Sequence, residues 1–181
     1  MTQTISYSYK LVIVGDPSVG KTSLIRRYAT KKFDEFYLPT IGADFTIKQL
    51  KFETPNIVKN VTLSIWDMGG HSRFDRIREH YYHGANAAFI IFDQTRKKTY
   101  ENINAWLEDV ISHCGEIPYN IIANKNDLPN KEVSKMEIHE LSADKNVEIF
   151  ITSAKSGKNV EKVFELIAKT CLSFYENSNS N

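Results

Sequence analysis

The sequence predicts an α/β domain in three layers, a six-stranded, mainly parallel sheet with one antiparallel edge strand and helices on both faces. Three observations carry that reading. Short β-branched or apolar runs alternate with amphipathic stretches along most of the chain. Two strand-like runs follow each other with no room for a helix between them. A glycine-bounded turn at residues 15–22 joins the first strand directly to the first helix.

In chain order, Lys10 to Val14 is an apolar strand and Lys21 to Ala29 a helical pattern. Asp44 to Phe52 and Ile57 to Trp66 are joined at Glu53-Thr54-Pro55-Asn56. A four-residue connection with proline and asparagine suits a hairpin, which makes one edge strand antiparallel. Ala87 to Phe92, Asn120 to Ala123 and Val147 to Thr152 are the remaining strands. Helices are expected at Thr99 to Ser112, Ser134 to Asp144 and Asn159 to Tyr175. In the last of these, Val160, Val163, Phe164, Ile167 and Cys171 share one face. The folded domain is read as residues 1–175, and the polar tail 176–181 as disordered.

A length of 181 residues fits one domain with a sizeable core. Lys plus Arg, 23, nearly cancel Asp plus Glu, 22, so no net field draws the chain to nucleic acid or acidic lipid. The pairs and triplet Arg26-Arg27, Lys31-Lys32 and Arg96-Lys97-Lys98 read as solvated surface. Cys114 and Cys171 are too few for a disulfide framework and read as reduced thiols, which with the lack of a signal core predicts a cytoplasmic protein. A monomer is expected.

Gly15-Asp16-Pro17-Ser18-Val19-Gly20-Lys21-Thr22 fits G-x-x-x-x-G-K-[ST] between a strand and a helix. Such a loop wraps phosphate oxygens with backbone N–H groups at the positive end of a helix, and bulk at Gly15 or Gly20 would obstruct it. Lys21 adds a cation between the β- and γ-phosphates. The Thr22 hydroxyl would coordinate Mg²⁺, an ion that keeps most of its waters and takes few protein groups. ATP and GTP carry the same phosphates, so the loop leaves the base open.

Asn124-Lys125-Asn126-Asp127 follows a strand, at the end where this architecture places its ligand. A carboxylate accepts only, and Asp127 suits the N1–H and exocyclic amine of guanine, a donor pair that adenine lacks. Thr152-Ser153-Ala154-Lys155 follows the last strand.

With these blocks in order from residue 9 to about 174, the chain resembles the Ras superfamily of small GTPases. Tyr37-Leu38-Pro39-Thr40-Ile41-Gly42-Ala43-Asp44-Phe45 is similar to its first switch, and Trp66-Asp67-Met68-Gly69-Gly70 to the start of its second. The T-I-G-x-D-F pattern and Tyr81-Tyr82-His83-Gly84-Ala85 resemble the Rab group. The resemblance implies the small G-protein version of the fold, a switch that binds GTP or GDP with Mg²⁺, hydrolyses GTP, and works in vesicle traffic.

It also implies roles. Residues 15–22 with Ser23 would hold phosphate, Thr22 and Thr40 would give their hydroxyls to the metal, and Asp67 would hold it through water. Thr40 and Gly70 would meet the γ-phosphate through their N–H groups, contacts that vanish on hydrolysis and release both loops. Phe33, Tyr37, Asn124, Lys125, Asp127, Ser153, Ala154 and Lys155 would line the nucleoside, with Phe33 stacked on guanine and the Ala154 N–H at its O6. Lys21, Thr40, Gly70 and His71 are the candidate catalytic residues. Protein effectors are expected at Thr40 to Phe45 and Trp66 to Tyr82, together with an exchange factor and an activating protein. Phe45, Trp66 and Tyr81 match an exposed aromatic effector surface, the other reading being that all three are core.

The chain departs from the family in places. His71 stands where most members carry the glutamine that orients the attacking water. Neutral imidazole divides donor and acceptor between two ring nitrogens, so intrinsic hydrolysis is expected to be slow. Pro17, often glycine in relatives, stiffens the phosphate loop, and Gly69 in place of alanine loosens the second switch. No final cysteines for prenylation are present, so membrane contact is not supported by this C-terminus, which is either natural or shortened. The alternative function is a GTP-binding scaffold with little or no hydrolysis. An ATPase or nucleotide kinase would have to explain Asp127 and Ser153-Ala154-Lys155.

Overall fold

The computed structural model describes residues 2–34, 40, 43–69 and 75–178, without the side chains of 75–78. The elements follow one another as β1 (Gln3–Val14), α1 (Lys21–Thr30), β2 (Ala43–Glu53), β3 (Ile57–Met68), α2 (Asp75–Tyr82), β4 (Ala87–Asp93), α3 (Lys97–Glu101), α4 (Ile103–Cys114), β5 (Tyr119–Asn124), α5 (Lys135–Lys145), β6 (Ile149–Ile151) and α6 (Val160–Ser178). The six strands form one sheet in the order β2-β3-β1-β4-β5-β6. Only β2, on the edge, runs antiparallel to its neighbour.

The central strands are apolar on both faces because both are covered. Period-two alternation sends Leu11 and Ile13 of β1, and Phe89 and Ile91 of β4, to a core shared with α1 and α6. Val12, Val14, Ile90 and Phe92 go to the opposite core, with Tyr82, Ile103, Leu107, Val110, Ile138 and Leu141. Each such side chain, fully buried, contributes about 1.5–3 kcal/mol. On α6 the expected stripe is buried together with Ala168 and Leu172. Helix α5 starts as its sequence suggests, with Ser134 and Glu137 in a reciprocal capping box.

The structure corrects several expectations. The strand expected from Lys10 starts at Gln3, because residues 3–13 pair with residues 57–67 along the length of β3. The helix expected over 99–112 is two helices, broken at Asn102. Helix α2 was not expected: its eight residues, Asp-Arg-Ile-Arg-Glu-His-Tyr-Tyr, are too short and too charged to show a clear period. Helix α6 continues to Ser178, past the helix end expected at Tyr175. The reason is Glu176, which accepts hydrogen bonds from the Tyr7 hydroxyl at 2.5 Å and the Lys59 ammonium at 2.6 Å. Among the described residues no helix is long and apolar enough to cross a membrane.

Candidate functional site

The carboxyl ends of β1, β3, β4, β5 and β6 share one edge of the sheet, because these five strands run parallel. The loop 15–20 leaves β1 there. Gly15 has φ +139°, and a Cβ on it would sit 2.2 Å from the Ile91 carbonyl oxygen. Gly20, at φ +97°, would place its Cβ 2.4 Å from the Asn124 amide nitrogen. Both positions therefore require glycine for space and for backbone angle. Gly20 caps α1, whose first turn holds Lys21, Thr22 and Ser23.

Carbonyls of this loop are drawn to donors around it. The Lys21 ammonium donates to Gly15 O at 2.7 Å and Asp16 O at 2.9 Å. The Arg96 guanidinium donates to Pro17 O at 2.8 Å, and the Asn124 amide to Val19 O at 2.9 Å. The Asp16 carboxylate takes one bond from the Asn102 amide and one from the Trp106 indole, each at 2.7 Å.

The side chains of Thr22, Thr40 and Asp67 converge. The Thr22 hydroxyl lies 2.5 Å from Asp67 Oδ2 and 2.9 Å from the Thr40 hydroxyl, which is itself 3.5 Å from Asp67 Oδ2. Asp67 is 4% exposed, and its Oδ1 has no hydrogen-bond partner among the described residues. Burial pushes its carboxyl above the usual range, against the pull of the Thr22 hydroxyl and the Lys21 charge. A buried carboxylate oxygen without a partner, beside two hydroxyls, is an oxygen-only donor set that fits a hard divalent cation.

On the other side, Asn124 ties three loops together. Its amide donates to Val19 O, while its Oδ1 accepts from the Thr152 hydroxyl at 3.1 Å and the Ala154 N–H at 3.3 Å. These bonds make Asn124 a brace between the phosphate loop and the loop after β6. Asp127 is exposed, with one carboxylate oxygen accepting from the buried Ser153 hydroxyl at 2.6 Å. Lys125, at φ +63°, pairs its ammonium with Asp93 Oδ2 at 2.7 Å. The Lys155 side chain is exposed, and its carbonyl accepts from Arg27. Phe33 is partly buried against the α1 and α6 core. Tyr37, Gly70 and His71 lie outside the described residues.

The sequence reading missed Asp93, Arg96, Gln94, Asn102 and Trp106. Asp93, 1% exposed, accepts from Lys125, from Arg96 Nε at 3.1 Å and from Thr95. Burial alone would raise its pKa, but Lys125 and Thr95 hold it below the ordinary value. Gln94 donates to the carbonyls of Ala123 and Asn124, holding the β5 terminus. An acidic residue closing an otherwise apolar strand was the available signal for Asp93.

Phe45, Trp66 and Tyr81 form a row, with ring centroids 5.6 Å and 5.8 Å apart in turn. Phe45 is 58% exposed, so the reading of all three as core fails, although Trp66 and Tyr81 are partly buried. The Lys10 ammonium stands 4.2 Å from the Trp66 ring centroid.

A model described as the Ras family matches residues 10–173. Ras-related protein RABG3f of Arabidopsis thaliana is 38% identical over 172 residues, which cover 90% of this chain and 82% of that protein. Ras-related protein Rab-8B of Homo sapiens is 35% identical over 171 residues, 93% of this chain and 81% of the relative. Ras-related protein Rab7 of Drosophila melanogaster is 36% identical over 169 residues, 90% and 80% respectively. The chain belongs to the Ras family, among Rab-like members, and is a small GTPase that acts as a GTP-dependent switch.

Proposed function

We propose that this GTPase holds the phosphates of GTP and GDP on the loop 15–22 with Ser23, and the guanine on the loops that follow β5 and β6. The observation that carries the reading is the Asn124 brace, which fixes the two sides of the site relative to each other. On the phosphate side, the Gly20-capped start of α1 offers N–H donors and a positive helix end, and Lys21 supplies a full charge. On the base side, Asp127 accepts from guanine while Ser153 holds one of its oxygens in place. The Lys125 stem and Ala154 line the base, with Phe33 and Tyr37 beside the nucleoside and Lys155 at its rim.

Thr22, Thr40 and Asp67 are the residues that would hold Mg²⁺, Asp67 through water, and the ion would neutralise phosphate charge during transfer of the γ-phosphoryl group to water. The chain itself orients the reactants: Lys21 on the phosphates, the N–H groups of Thr40 and Gly70 on the γ-phosphate, and His71 beside the attacking water. His71 gives the water a poorer partner than an amide would, so the intrinsic rate is slow. Effectors read the Phe45, Trp66 and Tyr81 row in the GTP state, and an exchange factor and an activating protein set the timing. The protein works in vesicle traffic from the cytoplasm, as a monomer. A scaffold reading has His71 and Pro17 in its favour and fails if bound GTP turns over.

Asp127→Asn tests the base assignment. An amide can no longer accept from both guanine donors, but it can donate to the additional carbonyl of xanthine. Competition binding is expected to show GTP weakened by about 100-fold or more, with xanthosine triphosphate now preferred. Unchanged GTP affinity would overturn the assignment.

A further inference from the structure

We propose that Arg96 is a positioning residue for phosphate binding: by holding the Pro17 carbonyl it turns the Ser18 amide toward the triphosphate. The proposal rests on the nucleotide reading of the loop and gives a role to a residue outside the loop motifs.

Pro17 has no N–H, so this stretch of the loop offers one donor fewer and the Ser18 N–H counts for more. Carbonyl and N–H of a trans peptide unit point in opposite directions, and no cis peptide occurs among the described residues. A donor fixed on Pro17 O therefore fixes the direction of the Ser18 N–H. The Arg96 Nη2 is that donor, at 2.8 Å. The hold is needed because Ser18 sits at φ +64°, in the left-handed region that a side chain disfavours. Released from Arg96, the peptide unit between Pro17 and Ser18 can rotate out of that conformation.

Arg96 is itself held. Its Nε donates to Asp93 Oδ2 at 3.1 Å, and the same oxygen takes the Lys125 ammonium at 2.7 Å. The guanidinium is planar and carries its donors in a rigid fork, so anchoring Nε on Asp93 aims Nη2. The line Lys125, Asp93, Arg96, Pro17 is a second link between the guanine loop and the phosphate loop, separate from Asn124. On the preceding residue, Asn102 and Trp106 hold the Asp16 side chain but leave the Pro17 peptide to Arg96.

The test compares unaltered protein with Arg96→Ala and Arg96→Lys, each loaded with nucleotide and Mg²⁺. Two quantities are read: the release rate of a fluorescent GTP analogue and the phosphorus NMR resonances of bound GDP. Arg96→Ala is expected to release nucleotide about tenfold faster, as loss of a hydrogen bond to a charged group implies, and to move the β-phosphorus resonance. Arg96→Lys keeps a cationic donor for the Pro17 carbonyl and is expected to return that resonance toward its original position. Arg96→Ala protein with unaltered release and resonances would overturn the proposal. So would faster release with the phosphorus resonances unmoved, the mark of a general loosening. Failure of the unaltered protein to retain GTP in preference to ATP would overturn the nucleotide reading instead.

Discussion

Asp67 shows at the scale of one residue what the site requires. Its carboxylate is buried, has one oxygen without a partner, and is pushed toward its neutral form by burial. Removing that charge while keeping the shape should relieve the metal-free protein and abolish its response to Mg²⁺. We expect Asp67→Asn to match or exceed the thermal stability of the unaltered protein in the presence of a chelator. It should also lose the slowing of GDP release that millimolar Mg²⁺ gives the unaltered protein. Release that still slows with Mg²⁺ in Asp67→Asn would remove this carboxylate from the metal site. Asn124 teaches a different lesson. Its motif was legible, but its partners lie at Val19, Thr152 and Ala154, and only the folded chain shows that both ends of the amide are committed to backbone and hydroxyl groups.

At the scale of elements, the docking of α6 against β1 and β3 is the feature least visible in the sequence. Val160, Val163, Phe164, Ile167 and Cys171 announced the buried stripe by their spacing, but nothing in Glu176-Asn177-Ser178 marked a continuing helix. The signal was three-dimensional, since Tyr7 and Lys59 meet Glu176 only after β1 and β3 pair. Lys59, and then Tyr7, hold the Glu176 carboxyl below its ordinary value of 4.5. A carboxyl with a depressed folded pKa stabilises the fold above its unfolded pKa, and that contribution fades as pH falls through the folded value. We therefore expect Glu176→Gln to cost about 0.5–1 kcal/mol near neutral pH, the scale of a half-exposed ion pair. The two proteins should converge below the folded pKa in urea unfolding, where both side chains are neutral. A difference that persists there would mean that packing, and not charge, joins these elements. The break at Asn102 escaped the sequence for a similar reason. Its amide reaches Asp16, across the distance between α4 and the phosphate loop.

At the scale of the molecule, the sheet order gathers five loops at one edge, and the phosphate loop, Asn124-Lys125-Asn126-Asp127 and Ser153-Ala154-Lys155 were legible because each follows a strand that could be recognised from its apolar run. The sequence also supported the antiparallel edge, since the hairpin at residues 53–57 closes with the Thr54 N–H donating to Ile57 O at 2.9 Å. What remained hidden was the layer behind the motifs, in which Asp93, Arg96 and Gln94 hold the loops from outside. Those residues sit between motifs, in a segment whose composition reads as ordinary surface, and their meaning comes from partners on other strands. On the proposed reading, loops fixed in this way hold nucleotide without reorganising the sheet, and the two switch segments respond to the γ-phosphate. The most direct test of a slow GTPase switch is single-turnover conversion of bound GTP to GDP with millimolar Mg²⁺, after free nucleotide is removed. Conversion over hours, quickened about tenfold in His71→Gln, is the predicted result, a barrier change of roughly 1.4 kcal/mol. GTP that stays intact for a day in both proteins would contradict the account.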